Sequence, residues 1–315
     1  MGVTLVFPGQ GSQYVGMGAT LKDEAAFSYF PKADQALGFS IQKMCLEGPE
    51  DELKLTEFTQ PAIVTHSVAL FEVLKPKLSA LGVSIDRVLG HSVGEYAALV
   101  AAGVLSFEDA VRAVNKRGKA MQEAVPVGLG AMIAILKIDA EWVEKACAAA
   151  STEAEKVQPA NFNDPKQIVI SGHVAACERA VEWLKTNCPE KHGAIPLKVS
   201  APFHSSLMAP AAKVMEAHLA TLKLHPSHTA YVANVDAREY AAGSDASGVR
   251  QRLVDQVCGS VRWTQSIAQL PATTRFIEVG PGKVLQGLIK RIHPEAPVLS
   301  LDTPGAFDKL QEFLA

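Results

Sequence analysis

Paired cysteines are missing from this 315-residue chain. Cys45, Cys147, Cys177, Cys188 and Cys258 stand singly, the nearest two 11 positions apart (177 to 188). An odd number without C-x-x-C spacing speaks against a disulfide framework and against a zinc or dithiol motif. His225 and His228 have no Cys or acidic residue near them, so they read as loop histidines, and no metal or bound cofactor is expected. An excess of charge is missing too: 30 Lys+Arg against 33 Asp+Glu leave a net −3, which makes nucleic acid an unexpected partner. Long apolar runs are absent. The longest, 97–105, is interrupted by Gly103 and falls well short of the roughly 18 residues needed to cross a bilayer. No basic stretch precedes an apolar one at the N-terminus, and Val6 stands where a myristoylation signal needs Ser or Thr, so a cytoplasmic location is expected. No heptad stripe runs along the chain, which favours a monomer.

What is present is core material, 48% apolar residues with 23 Gly and 18 Pro, enough for one large or two ordinary domains. Residues 3–7 form a β-rich run that stops at Pro8-Gly9-Gln10-Gly11-Ser12, a buried strand feeding a loop. A second such strand covers 87–91 and leads into a helix over 95–102. Ser106 followed by Asp109 starts a helix through Glu123 with Arg117 in its interior. From about residue 130 the order becomes strand 131–136, helix 140–150, strands 157–162 and 167–171, helix 175–186, strand 195–199. That β-α-β-β-α-β order is the ferredoxin-like arrangement. The expected fold is therefore α/β: a largely parallel, hydrolase-like sheet in a large subdomain (1–128 and 200–315) with an inserted ferredoxin-like subdomain (129–199). Further helices are expected over 205–222 and 249–257, and a strand over 275–279.

Gly90-His91-Ser92-Val93-Gly94 is a G-x-S-x-G sequence between the predicted strand and helix. A serine held on so tight a turn leaves no room for neighbouring side chains, which is the reason for both glycines. It is a candidate nucleophile elbow, the alternative being an ordinary Gly-rich turn, and such a turn aims the N–H of Val93 at any oxyanion forming beside Ser92. A serine needs a base. His204, in Pro202-Phe203-His204-Ser205 at the domain boundary, stands out, although by position alone a satisfied surface histidine is the better reading. His91 reads as a buried, hydrogen-bonded residue, since alternation points it away from Ser92. Arg117 taken alone reads as a solvated or ion-paired helix residue.

These segments together carry a resemblance. Pro8-Gly9-Gln10-Gly11-Ser12-Gln13, Gly90-His91-Ser92-Val93-Gly94-Glu95-Tyr96-Ala97-Ala98, Arg117-Gly118-Lys119-Ala120-Met121-Gln122, Asn161-Phe162-Asn163, Phe203-His204-Ser205-Ser206-Leu207-Met208 and Glu278-Val279-Gly280-Pro281-Gly282 occur in the order seen in malonyl-CoA:acyl carrier protein transacylases, over essentially the whole chain. The resemblance implies that Ser92 is the nucleophile and His204 its general base, and that the N–H groups of Gln10 and Val93 form the oxyanion hole. It implies that the backbone carbonyl of Gln256 orients the base, although Gly259-Ser260 stands where the family usually has a proline. It gives Arg117 the free carboxylate of malonate, which a planar guanidinium can bind bidentately. Asn163 becomes a candidate pantetheine contact, its alternative being a turn-forming residue before Asp164-Pro165, and Phe203 resembles the bulky residue that selects malonyl over methylmalonyl groups. The implied partners are malonyl-CoA and an acyl carrier protein, with Lys283, Lys290 and Arg291 on one predicted helix as a basic docking patch. The rival is a serine esterase whose triad ends in a late histidine, but His218, His225, His228 and His293 occupy no convincing catalytic loop, and that reading leaves Gln10, Arg117 and the insert unexplained.

Overall fold

The structure is a computed structural model and describes residues 2–303 and 305–315. In chain order its elements are β1 (Gly2–Phe7), α1 (Tyr29–Leu37), α2 (Ile41–Glu47), α3 (Glu50–Leu53), α4 (Thr56–Ala80), β2 (Ser84–Gly90), α5 (Gly94–Ala101), α6 (Phe107–Glu123), β3 (Gly130–Leu136) and α7 (Ala140–Ala150). There follow β4 (Val157–Asp164), β5 (Gln167–His173), α8 (Val174–Asn187), β6 (Gly193–Pro196), α9 (Ala209–Ala220), β7 (Ala230–Val232), β8 (Glu239–Tyr240), α10 (Ser247–Cys258), α11 (Trp263–Ala268), β9 (Phe276–Glu278), α12 (Val284–Ile292), β10 (Val298–Ser300) and α13 (Leu310–Leu314).

Two sheets result. The larger runs β10-β9-β1-β2-β7-β8 and is parallel except where β8 turns back against β7. Its central strand β1 is buried on both faces: Leu5 and Phe7 join the core under α4, α5 and α6, while Val6 joins Trp263, Phe276, Leu285 and Ile289 on the opposite side. Burial on both faces explains why β1 reads as a continuous apolar run rather than an alternating one. The smaller sheet runs β4-β5-β3-β6 and is antiparallel throughout. With α7 and α8 packed on it around Ile135, Val143, Ile170 and Ala180, it has the ferredoxin-like order expected from the sequence.

Two of the expected elements differ most in extent. The last strand of the small sheet lies at Gly193–Pro196 rather than 195–199. The stretch expected as one helix over 205–222 opens with a 3-10 turn, Ser206–Met208, before α9 begins with Pro210 in its first turn. The largest surprise is α4, 25 residues long with Pro61 and Pro76 inside it. A proline there removes one helical hydrogen bond. The acceptor that Pro61 leaves free, the Glu57 carbonyl, is taken by the Asn115 side chain of α6 at 2.8 Å. The two helices run so close that a Cβ on Gly118 would sit 2.6 Å from the Thr56 carbonyl oxygen.

All five cysteines are free; Cys45, Cys147, Cys177 and Cys188 are buried and Cys258 is half-buried. Burial pushes the thiols of Cys147 and Cys177 up to about 12 and raises those of Cys45 and Cys258 as well. Among the described residues no helix is long and apolar enough to cross a membrane, and no three His, Cys, Asp or Glu side chains cluster as a metal site would require.

Candidate active site

Strand β2 delivers the chain to Gly90, and α5 starts at Gly94. Between them Ser92 adopts φ 50°, in the left-handed region that a residue with a Cβ seldom occupies. The turn tolerates no extra carbon: a Cβ on Gly90 would strike the backbone of Gly94 and Glu95, and one on Gly94 would strike the Phe7 carbonyl. Asn234, just past β7, clamps the elbow from outside. Its Oδ1 accepts the Ser92 N–H at 2.7 Å while its Nδ2 donates to the Gly90 carbonyl at 2.6 Å.

His204 sits in the turn before the Ser206–Met208 segment, also with positive φ, 56°. It is buried, not a surface residue. Its Nε2 lies 2.7 Å from Ser92 Oγ, and its Nδ1 faces the carbonyl oxygens of Gln256 at 2.9 Å and Gly259 at 3.2 Å. Two carbonyls can only accept, so Nδ1 carries the proton and Nε2 presents a lone pair to the hydroxyl. Burial, with the Arg117 cation nearby, pushes the ring down to about 3, leaving it neutral and able to accept a proton at neutral pH. Gly259, at the departure from the usual proline, supplies the second carbonyl. Gln158 ties this corner to the small sheet, its Nε2 donating to the carbonyls of His204 at 3.2 Å and Cys258 at 2.9 Å.

Arg117 points inward from α6, only 1% exposed. One Nη donates to Gln60 Oε1 at 2.9 Å; the other donates to Gln256 Oε1 at 2.9 Å and to Ser92 Oγ at 3.2 Å. Among the described residues its Nε has no partner and no carboxylate pairs with it directly. Burial lowers its pKa from the usual arginine value. Gln256 is fully buried and does double duty: the carbonyl faces His204 while the side-chain Nε2 donates to Glu95 Oε2 at 2.6 Å and to the Ser92 carbonyl at 3.1 Å.

A cavity of about 180 Å³ gathers these groups: Gln10, Gln60, His91, Ser92, Val93, Arg117, Asn163, Phe203 and His204 all line it, closed by Met121, Met132, Val169, Leu197 and Val199. Among the described residues the backbone N–H groups of Gln10 and Val93 take no acceptor. The Gln10 side chain reaches Thr56 at 3.3 Å. Asn163 belongs to β4 rather than to a turn, and its Oδ1 meets His91 Nε2 at 2.8 Å. His91 is half-buried, its ring edge-on to Trp263 at 5.6 Å between centroids. The proposed basic patch does not lie on one helix: Lys283 precedes α12, and Arg291 is bound to Asp164 at 2.8 Å.

Four participants carry no signal in the sequence reading. Gln60 rides on α4, which the prolines disguised. Asn234 and Gln158 come from segments with no motif of their own, so nothing local distinguishes them from other polar loop and strand residues. Glu95 stands in the segment that follows the elbow serine, where the motif gives its side chain no role.

Residues 4–301 match the acyl transferase domain family. The malonyl CoA-acyl carrier protein transacylase of Bacillus subtilis (strain 168) is 42% identical over 306 residues, 96% of this chain and 94% of that protein. The structure of the malonyl CoA-acyl carrier protein transacylase of Coxiella burnetii superimposes with a TM-score of 0.91 at 38% identity, covering 100% of this chain and 98% of that one. So does a malonyl-transacylase solved in complex with a type II PKS acyl-carrier protein, with a TM-score of 0.91, 38% identity and 99% of each chain covered. With agreement of sequence over nearly the full length, of both sheets, and of an elbow serine set against a buried histidine and arginine, this chain belongs to the malonyl-CoA:acyl carrier protein transacylase family.

Proposed function

We propose that this protein transfers a malonyl group from malonyl-CoA to the phosphopantetheine thiol of an acyl carrier protein by a ping-pong reaction through malonyl-Ser92. In the first half, Ser92 Oγ attacks the thioester carbonyl carbon as its proton passes to His204 Nε2. The tetrahedral oxyanion forms against the N–H groups of Val93 and Gln10, a placement in which one donor is worth about 10²–10³ in rate. The C–S bond breaks and the departing CoA sulfur takes the proton from His204. In the second half the carrier's thiol gives its proton to His204 and attacks the malonyl ester, and Ser92 leaves with that proton. The Gln256 carbonyl holds the base in the required tautomer throughout. Phe203 shapes the acyl end of the cavity, and Asn163 stands where a pantetheine amide can meet it.

The observation that carries the malonyl assignment is Arg117, a buried cation 3.2 Å from the nucleophile and bound only to neutral oxygens. A buried charge with no anion in direct contact is unfavourable until one arrives, and the carboxylate of a malonyl group on Ser92 supplies one. A neutral acyl group would leave the cation facing methyl hydrogens, which weighs against a general esterase. We further propose the division into a large subdomain (1–128 and 200–315) and a small one (129–199), with the site between them, and a monomeric, cytoplasmic enzyme. The test is intact-mass analysis after brief exposure to malonyl-CoA, with peptide mapping and chase by holo-carrier protein. The expected result is a malonyl adduct on Ser92 that EDTA does not prevent and that the carrier discharges; an adduct mapped elsewhere refutes the mechanism.

A further inference from the structure

Arg117 and Glu95 are linked by one amide. Gln256 Oε1 accepts from an Arg117 Nη at 2.9 Å, and Gln256 Nε2 donates to Glu95 Oε2 at 2.6 Å. Glu95 is buried at the first turn of α5, and its Oε2 also takes the Asn234 N–H at 3.2 Å. The Gln256 amide could face either way by shape alone. A carboxylate and the Ser92 carbonyl can only accept, so together they hold the amide nitrogen on their side and leave the oxygen for the arginine. Reversed, the amide would set its N–H groups against those of Arg117.

Accordingly, and resting on the malonyl-transfer reading above, we propose that Glu95 is a positioning residue for acyl selection, the counterion of Arg117 held at one remove by Gln256. Balance at one remove has a chemical point. A carboxylate in direct contact would occupy the guanidinium and compete with the carboxylate of the substrate. A site with no carboxylate at all would hold an uncompensated buried cation. Placing the negative charge behind an amide steadies the cation and keeps its fork open toward Ser92.

The charged and titratable groups around the Glu95 carboxyl are Arg117 on α6, Tyr96 beside it on α5, Tyr231 on β7, Asp236 in the loop after β7 and Arg252 on α10. Burial, the largest effect, pushes Glu95 up to about 7. Its charge is therefore present above that pH and lost below it, and with it the constraint on the Gln256 amide.

The experiment measures acylation of Ser92 in the full chain by malonyl-CoA and by acetyl-CoA between about pH 5.5 and 8.5. Titration of the CoA phosphates, His204 and every other shared group cancels in the ratio of the two kcat/KM values. For the unaltered protein the malonyl-to-acetyl ratio should fall as pH drops through about 7. Glu95→Gln should lower that ratio at pH 8 roughly tenfold or more, the coupling typical of groups in one hydrogen-bonded network, and should remove its pH dependence. In an Arg117→Ala background, Glu95→Gln should change the ratio no further. If Glu95→Gln does not fold, the pH dependence of the unaltered protein decides. A ratio flat across the range, or equal losses for both substrates in Glu95→Gln, overturns the inference while leaving malonyl transfer standing. No preference for malonyl-CoA in the unaltered protein at pH 8 overturns both.

Discussion

The Ser92 hydroxyl and the His204 ring meet at 2.7 Å across 112 residues of sequence, and each is carried on backbone in the left-handed region, φ 50° and 56°. Such conformations cost about 1–3 kcal/mol each and persist only where the surroundings determine them. Here the surroundings are identifiable: Asn234 holds the serine turn, and Gln158 holds the carbonyl of His204. His204→Ala should lower acylation by roughly two to four decades, the range of a positioned general base, with a melting curve close to that of the unaltered protein. His91→Ala, which gives up the Asn163 bond and the Trp263 contact, should lower stability by about 1–3 kcal/mol and retain more acylation. Stopped-flow acylation alongside urea melts compares the two; the reverse order would make His91 the base.

The His204 ring, pushed down to about 3 by burial and by Arg117, should not limit the reaction near the ordinary histidine pKa. At saturating acetyl-CoA, the acylation rate constant should stay flat between about pH 5.5 and 8, whereas an acid limb near 6.5 would mean that the ring titrates as if in water. Stability follows the opposite course. Below about 6.5 the unfolded chain takes up a proton that the folded ring refuses until about 3, so this residue lowers unfolding free energy across that window by at most about 1.4 kcal/mol per pH unit. Urea melts of His204→Gln should show a shallower acid decline.

Arg117→Ala removes the partner of a buried carboxylate, a loss of roughly 3–5 kcal/mol, or about two to four decades in kcat/KM for malonyl-CoA. Acetyl-CoA has no carboxylate to strand, so its lower rate should fall little or rise. Arg117→Lys should recover only part of the malonyl activity, because an ammonium restores the charge without two parallel hydrogen bonds. Steady-state kinetics with both substrates decides; equal losses would make the residue structural.

Asn234→Ala strands the Ser92 N–H and the Gly90 carbonyl together, which should lower stability by about 1–3 kcal/mol per unsatisfied group and loosen the elbow. Asn234→Asp should be worse for its size, since a carboxylate oxygen would then face the Gly90 carbonyl that Nδ2 now meets at 2.6 Å. Chemical denaturation with acylation measured on the folded fraction separates the two effects. Unchanged stability in both variants would show that the clamp is dispensable.

Much of this arrangement was legible in the sequence where a local rule and the tertiary structure agree. Ser106 caps α6 as expected, its Oγ accepting the Asp109 N–H at 3.1 Å, and the strand-helix-strand-strand-helix-strand succession of the insert leads to the sheet order β4-β5-β3-β6. Helix α4 was illegible for two physical reasons. It is buried on nearly every side, so it lacks the polar stripe that marks a surface helix, and Pro61 reads as a breaker because the group that repairs it, Asn115, lies 58 positions from Glu57. Gln60 was hidden with its helix. Asn234 illustrates a different limit: its role exists only because β7 lies beside β2 in the sheet, a relation no window of sequence contains.

The five unpaired cysteines have a consequence for chemoselectivity. A protein that accepts an acyl group from one thioester and yields it to another thiol is exposed to trans-thioesterification onto its own side chains, because a thiolate competes well with an activated hydroxyl. Here four thiols are enclosed, and burial together with Asp255 raises the pKa of the half-buried Cys258, which disfavours the thiolate that would compete with the serine. Iodoacetamide at neutral pH should therefore leave acylation intact, while a serine-directed fluorophosphonate abolishes it in proportion to labelling of Ser92. Loss of activity on thiol alkylation alone, with Ser92 unlabelled, would place a reactive cysteine within reach of the acyl group.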